Sequence, residues 1–106
     1  MEGLKFHTDR PNQRTVILRL TGEFEGLPVL NAKEELLGLV RNETAQDFMV
    51  DFGEIEYVDS AAIGVLLEMS ELASGKNMKF GLFNVNDHVT KVIEITKVDK
   101  VLKIYR

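Results

Sequence analysis

The chain has 106 residues, of which 44% are hydrophobic and 28% charged, and this balance is typical of one globular domain with its own core. It has no cysteine, which excludes disulfides, thiolate metal ligands and cysteine nucleophiles. The formal net charge is -4 and the 13 Lys and Arg residues are scattered, so we expect no nucleic-acid partner. No repeat or linker divides the sequence, and we predict a single domain over residues 1–106.

The sequence also carries no sign of a membrane or export segment. No window approaches the roughly eighteen apolar residues of a membrane span. The first ten residues, MEGLKFHTDR, hold no apolar run long enough for a signal peptide. We therefore expect a cytoplasmic protein without direct membrane insertion, and the absence of cysteine fits a reducing compartment.

Two adjacent strands and a helix are predicted first in the chain. Residues 4–8 alternate weakly between apolar and polar side chains, and the β-branched and aliphatic stretch TVILRLT predicts a second strand over residues 15–21. Apolar residues then recur at helical spacing over residues 28–41. Glu34 follows Asn31 by three positions, which is the spacing of a capping box at a helix start.

The middle of the chain predicts a strand, a second helix and another strand. FMVDF, residues 48–52, is apolar except for Asp51, so we expect a strand that is buried on both faces. Residues 60–74 are predicted to form the helix, with Gly75 as its C-cap. KFGLF, residues 79–83, predicts the next strand.

The C-terminal part predicts a short helix and a final strand. Asp87 is predicted to cap the helix, and VLKIY, residues 101–105, alternates as a strand does. The resulting element order is ββαβαβαβ. Helices that alternate with strands favour parallel crossovers, so the predicted fold class is α/β, or an α+β sandwich, with helices covering a mixed β-sheet.

The loop before the second helix ends in Asp59-Ser60. Asp is a preferred N-cap residue, which makes Ser60 the first helical residue, with a hydroxyl group that faces solvent. The free backbone N–H groups and the dipole of a helix start favour an anion, so a phosphoryl group on Ser60 is compatible with this position. The alternative is that both residues serve only to cap the helix.

The helix after this pair is apolar on nearly every side. A helix that covers a sheet needs only an apolar stripe. We therefore expect the surplus apolar side chains, Ala62, Val65 and Met69, to remain exposed as a docking patch. Gly64 costs about 1 kcal/mol relative to alanine inside a helix, and close packing on the sheet is the expected reason for it.

The sequence gives little support for metal binding or catalysis. His7 and His88 are isolated from each other and from acids at ligand spacing, so no metal and no cofactor is predicted. A triad of Ser60, His88 and Asp59 is disfavoured because the acid is the neighbour of the serine and no elbow glycine precedes it. The chain is not predicted to be an enzyme, and binding of a small molecule or nucleotide is the third class left open.

Four acidic residues are predicted to lie near strand ends: Glu23, Glu25, Glu54 and Glu56. They form either an acidic rim that attracts a basic partner surface or a set of solvated loop charges. The sequence leaves both interpretations open.

Three segments of the chain resemble the STAS domain family. LTGEFEG, residues 20–26, is similar to the family's strand-end segment, and MVDFGEIEYVDSAAIG, residues 49–64, resembles its central strand, loop and Asp-Ser-x-Gly-Leu-Gly signature. ITKVDKVLKIY, residues 95–105, is similar to its C-terminal segment. Within the family the chain resembles the stand-alone anti-sigma factor antagonists of bacteria. The family fold, a sheet with helices packed on one face, agrees with the element order.

The resemblance implies a protein–protein switch rather than an enzyme. In the family, an anti-sigma factor that is also a serine kinase phosphorylates the serine after the signature aspartate, and a serine phosphatase removes the phosphate; by position this is Ser60. The unphosphorylated antagonist binds the anti-sigma factor and so frees the sigma factor. The resemblance also implies that Asp59, Gly64 and Asp51 shape the site and that Glu25 contacts the partner.

Ala61 and Ala62 depart from the family pattern, in which many members have serine or threonine and then glycine. They leave one phosphoacceptor and put a methyl group at the glycine position, so both belong to the residues that shape the site. Partner contacts are expected from Ile63, Val65 and Met69 of the same helix. The alternative function is a constitutive STAS subunit of a bacterial lipid-transport or signalling scaffold complex, without a phosphoswitch.

Overall fold

The computed structural model describes residues 3–106, and this part of the chain contains five strands and three helices in the predicted order, ββαβαβαβ. The elements are β1 Leu4–Asp9, β2 Thr15–Gly22, α1 Gly26–Arg41, β3 Asp47–Glu54, α2 Ser60–Gly75, β4 Lys79–Phe83, α3 Asp87–Ile95 and β5 Ile104–Tyr105. The short β-branched runs became strands and the segments of helical period became helices.

The strands form one sheet in the order β1-β2-β3-β4-β5. β1 is antiparallel to β2, whereas the next three pairs are parallel. One helix lies in each parallel connection. Since right-handed crossovers along a sheet of this order return on the same side, all three helices cover one face. The predicted mixed sheet with helices on one face is confirmed.

The other face of the sheet is open, and this corrects the prediction for β3. We expected residues 48–52 to be buried on both faces, but Met49 and Asp51 are only half-buried. The reason is that no helix of residues 3–106 covers this side. Side chains of β2 and β3 alternate accordingly, and those that face the helices are fully buried: Val16, Leu18, Leu20, Phe48, Val50 and Phe52.

Two helix starts differ from the predicted ones. α1 begins at Gly26, two residues earlier than expected, and Asn31 lies inside the helix, so the predicted capping box is wrong. The N-cap of α3 is Asn86 rather than Asp87. The side-chain oxygen of Asn86 accepts a hydrogen bond from the backbone N–H of Val89 at 2.8 Å. Amides and carboxylates cap equally well, so propensity did not separate the two neighbours.

Two element ends also differ. Gly75 is the last residue of α2 and the C-cap is Lys76. The final strand contains only Ile104–Tyr105, because the chain turns just before it: the backbone N–H of Leu102 donates to the carbonyl of Val98 at 2.8 Å, and Leu102 is fully buried. Burial of this leucine in the core competes with extension of the strand.

Glu43, which follows α1, is a buried charged residue that ties the fold together. Its carboxylate accepts hydrogen bonds from both terminal nitrogens of Arg10, at 2.6 and 2.9 Å. It also accepts the backbone N–H groups of Thr44 and Ala45, at 3.0 and 2.8 Å. These bonds join the turn between β1 and β2 to the loop between α1 and β3, and they satisfy a carboxylate that is only 7% exposed.

Glu43→Gln is expected to lower the free energy of unfolding by about 2 kcal/mol at neutral pH. The reason is that the glutamine amide nitrogen, a donor, would replace a carboxylate oxygen that accepts a hydrogen bond from Arg10. The Arg10 guanidinium, acting against burial and helped by the two backbone N–H groups, lowers the pKa of Glu43. A lowered pKa in the folded state stabilises the fold above the unfolded-state pKa, near pH 4.3, and this contribution is lost as the pH falls through the folded-state pKa.

Chemical denaturation of both proteins over a pH series measures this contribution. The gap between wild type and Glu43→Gln is expected to be full at neutral pH and to close in acid. A gap that stays constant down to the lowest pH would contradict an ionised Glu43 in the folded state.

Candidate functional site

Asp59 joins the N-termini of α1 and α2 through its carboxylate. Its backbone is extended at the end of the β3–α2 loop, and Oδ1 accepts a hydrogen bond from the backbone N–H of Ala62 at 3.0 Å. Oδ2 accepts a second bond from the backbone N–H of Gly26, the first residue of α1, at 2.9 Å. The predicted N-cap role of Asp59 is confirmed, and the link to Gly26 is an additional finding. We call Asp59, together with the first turns of α1 and α2, the Asp59 junction.

Gly26 shows why α1 is capped from another part of the chain. The N-cap of α1 is Glu25, whose side chain makes no capping hydrogen bond. Gly26 has a φ angle of 58°, in the left-handed region that glycine adopts without strain. Its N–H reaches the carboxylate of Asp59 and so satisfies one of the free donors of the helix start. Glu25 is half-buried next to the junction, and its role as a partner contact stays a prediction.

Ser60 is the first residue of α2 and is exposed to solvent. Both carboxylate oxygens of Asp59 are already engaged by backbone N–H groups. The positive end of the α2 dipole and the N–H groups of its first turn lie at the same surface. Ser60 therefore has the exposure and the helix-start position that were predicted for a phosphorylated serine, and its modification stays a prediction.

The apolar docking patch predicted on α2 is wrong. Ala62, Ile63, Val65 and Met69 are buried, with exposed fractions of 0%, 6%, 2% and 0%. The physical reason is that α2, the middle one of the three helices, packs against the neighbouring helix α1 as well as against the sheet, where it contacts β4. It therefore buries more than one stripe, and Ile63, Val65 and Met69 are core residues rather than partner contacts.

Gly64 and the alanines before it also differ from expectation. A β-carbon at Gly64 would meet no atom within 4 Å, so close packing on the sheet is not the reason for this glycine, and nothing in the structure explains it. Ala62 directs its methyl group into the core, whereas Ala61 is half-buried next to Ser60. A docking partner therefore meets Ala61 and not Ala62.

Three large apolar side chains near the junction are exposed instead, and we call them the apolar rim: Leu27 at 70%, Leu30 at 54% and Tyr57 at 56%. Leu27 and Leu30 belong to the first turns of α1, and Tyr57 lies in the β3–α2 loop shortly before Ser60. Exposed apolar side chains around a polar centre are typical of protein-binding surfaces. The sequence pattern did not indicate them for three reasons: Leu27 precedes the predicted start of α1, Leu30 lies inside the predicted helix but off its buried face, and Tyr57 lies in a loop.

The loop that carries Tyr57 is held in place by α3. The side-chain amide of Asn86 donates hydrogen bonds to the backbone carbonyls of Ile55 and Glu56, at 3.2 and 3.1 Å. The Tyr57 ring packs edge-on against the ring of His88, with 5.0 Å between the ring centroids. The loop before Ser60 is therefore fixed at both its backbone and its exposed aromatic side chain.

Asp51 lies on the open face of the sheet, opposite the helices, and makes no described contact with the Asp59 junction. It accepts hydrogen bonds from the Gly53 N–H at 2.9 Å, from the Asn84 amide at 3.0 Å and from Arg19. Arg19 also binds Asp9 at 2.6 Å, so an ion pair network crosses β1, β2 and β3. Burial acts to raise the pKa of Asp51, but these donors together lower it. Its part in shaping the site stays a prediction.

Residues 3–106 do not bring together the side chains that a catalytic triad or a metal site would need. The carboxylate of Asp59 is bound to backbone N–H groups and His88 packs against Tyr57, so these residues do not form a triad with Ser60. No group of three or more potential metal ligands comes together in this part of the chain. None of its helices is long and apolar enough to cross a lipid bilayer.

Known proteins provide an independent comparison. The sequence matches the family model described as Mlab, STAS domain, over residues 7–104. A STAS-domain containing protein of Pseudomonas aeruginosa (strain UCBPP-PA14) is 33% identical over 61 residues, which make up 58% of this chain and 60% of that protein. The chain spans only about half of the length of the curated relatives that it matches, between 46% and 60%.

Solved structures are similar over nearly the whole chain. An anti-sigma factor antagonist from Mycobacterium paratuberculosis has a TM-score of 0.81 at 19% identity, over 97% of this chain and 86% of that chain. The anti-sigma factor antagonist SpoIIAA gives a TM-score of 0.77 at 18% identity in its unphosphorylated form, over 96% and 89% of the two chains. Its phosphorylated form gives 0.70 at 17% identity, over 96% and 92%. At these identities the similarity establishes the fold, which agrees with the predicted one.

Proposed function

The chain belongs to the STAS domain family, and from this premise we propose that it is an anti-sigma factor antagonist controlled by phosphorylation of Ser60. It is a regulatory binding protein in this proposal, not an enzyme. The unphosphorylated chain binds an anti-sigma factor that is also a serine kinase, and a serine phosphatase restores this state. We place the switch in the cytoplasm, where such partners act, and treat residues 1–106 as a single domain.

The observation that carries the proposal is the exposed Ser60 beside a carboxylate that is already occupied. A phosphoryl group adds about -1.5 to -2 charges. Asp59 would repel a phosphate less than a free carboxylate would, because two backbone N–H groups already bind it. The helix start offsets about 0.3–1 kcal/mol of the cost. Phosphorylation is therefore compatible with the fold.

The main effect of the phosphate in this proposal is on the binding of the partner protein, not on the stability of the fold. The apolar rim of Leu27, Leu30 and Tyr57 provides surface that a docking protein buries. A partner that covers this rim also covers Ser60, and a doubly charged phosphate there loses its hydration without a matching cation. SpoIIAA, which has the same fold, exists in phosphorylated and unphosphorylated forms. This precedent supports the same pair of states in this chain.

Ser60→Asp is expected to weaken binding to the anti-sigma factor kinase of the same organism at least about ten-fold, which corresponds to about 1.4 kcal/mol. Ser60→Ala is expected to keep the affinity but to take up no phosphate. Biolayer interferometry with the kinase measures the first effect, and mass spectrometry after incubation with ATP measures the second.

Ser74→Asp provides the matched control, because Ser74 is an exposed serine at the other end of the same helix. It is expected to change the affinity by less than about two-fold, since surface charge at a distance is screened. Phosphate that still appears in Ser60→Ala would disprove Ser60 as the acceptor.

The second candidate function is a constitutive STAS subunit of a lipid-transport or signalling scaffold complex. Ala61 favours it, because this position beside Ser60 is partly exposed and carries no hydroxyl group, which leaves a single acceptor at the helix start. In that case Ser60→Asp would leave the affinity for the partner unchanged. The same binding measurement thus separates the two candidates.

A further inference from the structure

β1 lies at the edge of the sheet, and its outer side is a row of backbone donors and acceptors. Its neighbour β2 pairs with it from the other side, in the register Leu4↔Gly22 to Asp9↔Ile17. The backbone N–H of Glu23 donates to the carbonyl of Gly3 at 3.0 Å, so Gly3 belongs to a hydrogen-bonded pair. Because such pairs alternate along an antiparallel ladder, the odd-numbered residues of β1 bond to β2 and the even-numbered ones point outward.

A groove runs along this edge on the side of the sheet that the helices cover. It has a volume of about 470 Å³ between β1 and the start of α1, and its walls include Leu4, Phe6, Leu27 and Ala32. Leu27 is 70% exposed here. An additional strand on β1 would place alternate side chains into this groove. The edge therefore offers both backbone hydrogen bonds and apolar surface to an extended segment.

The side chains of β1 are complementary to those of β1 in a second copy of the chain. If two copies of β1 pair in antiparallel fashion about a two-fold axis, directly opposed residues lie on the same face of the joined sheet. Odd-numbered residues of one copy therefore lie opposite odd-numbered residues of the other. With the axis at His7, Lys5 of each copy faces Asp9 of the other, which gives two opposite-charge pairs. Lys5 is exposed, and Asp9 is 47% exposed although its carboxylate also accepts a hydrogen bond from Arg19, so both side chains are accessible to a second copy.

Other symmetric registers of β1 fit less well. An axis at Lys5 opposes the two lysines, and an axis at Phe6 opposes Lys5 to His7. An axis at Thr8 pairs only three residues of the strand. The register centred on His7 pairs residues 5–9. It also brings Phe6 of one copy opposite Thr8 of the other on the helical side of the sheet, with their outward backbone groups bonded to each other.

We propose that the chain forms a symmetric dimer in which β1 pairs with β1 of a second copy and the two sheets join into one. The groove shares Leu27 with the first turn of α1, but Ser60 begins α2, which packs on α1 and β4 rather than at the β1 edge. The dimer does not depend on the proposed phosphoswitch, and it leaves Ser60 exposed on each copy.

Sedimentation velocity from about 1 to about 100 μM tests the proposal, since a weak dimer dissociates over this range. Wild type is expected to shift from monomer to dimer. Lys5→Glu and Asp9→Lys each create like-charge pairs and are expected to raise the dissociation constant at least ten-fold. A mixture of the two variants restores opposite charges in both pairs, so dimers are expected to return as heterodimers.

Two further variants keep the test independent of folding. Thr8→Pro removes an outward N–H that β2 does not use, and proline is tolerated on the free side of an edge strand. It is expected to abolish the dimer with little change in melting temperature. Lys91→Glu on α3 makes the same charge change as Lys5→Glu away from the edge and is expected to leave the dimer unchanged. A wild type that stays monomeric, or a dimer unaffected by Lys5→Glu and Thr8→Pro, would overturn the proposal.

Discussion

Asp59→Ala is expected to lower the free energy of unfolding by about 3 kcal/mol, from the loss of an N-cap and of a second charge-assisted hydrogen bond. The alanine leaves the N–H groups of Ala62 and Gly26 without their acceptor at two helix starts. Both helix starts lie beside Ser60, so the loss of these two hydrogen bonds is also expected to make the site less rigid. Chemical denaturation measures the stability, and hydrogen exchange of the two amides measures the local effect.

Asp59→Asn separates the two bonds of the carboxylate. Asparagine caps helices about as well as aspartate, so the bond from Ala62 is retained. Its amide nitrogen, however, faces the N–H of Gly26 and cannot accept it. We expect a loss of about 2 kcal/mol, with faster exchange at Gly26 only. Equal exchange rates at Gly26 in wild type and Asp59→Asn would show that the link between α1 and α2 is not formed in solution.

Gly22→Ala is expected to lower the free energy of unfolding by about 3 kcal/mol or more, for two reasons that add. Gly22 has a φ angle of 101°, and a left-handed or related conformation costs other residues about 1–3 kcal/mol. An alanine β-carbon would also overlap the carbonyl oxygen of Gly3, which is backbone and cannot move aside cheaply. That carbonyl accepts the N–H of Glu23, so the variant also disturbs the pairing of β1 with β2.

Two other glycines provide controls for this substitution. Gly26 also has a positive φ, but its β-carbon would meet nothing within 4 Å, so Gly26→Ala is expected to cost only about 1–2 kcal/mol of strain. Gly38 lies inside α1 with open space around it, and Gly38→Ala is expected to stabilise by up to about 1 kcal/mol. Thermal and chemical unfolding of the three variants should rank them in this order. A Gly22→Ala variant as stable as Gly26→Ala would exclude the clash.

The position of the Asp59 junction bears on the proposed phosphoswitch. The carboxylate binds the start of α1, whose first turns carry Leu27 and Leu30 of the apolar rim. A charge added to Ser60 therefore lies next to the group that positions this part of the rim. The loop that carries Tyr57 is held separately, by Asn86 and His88. In this proposal, a partner that distinguishes the two states of Ser60 contacts α1 and the β3–α2 loop, which different parts of the chain hold in place.

The amino-acid sequence by itself determined the element order and the position of the helix start at Ser60. Strand and helix periods are local properties, and they predicted all eight elements because alternation and helical spacing need only neighbouring residues. The N-cap bond from Ala62 to Asp59 spans three residues, so it was predictable for the same reason. Three segments in the right order, residues 20–26, 49–64 and 95–105, together indicated the family.

Tertiary structure alone decided which side chains of α2 are on the surface. The helix is apolar all round, and only the packing of α1 and β4 beside it determines that Val65 and Met69 are buried. The bond between Asp59 and Gly26 joins residues far apart in the chain, and no local pattern encodes such a contact. The same holds for the open face of the sheet at Asp51, because a missing helix layer is a property of the assembled fold. Local periodicity specifies elements, whereas burial depends on which elements meet.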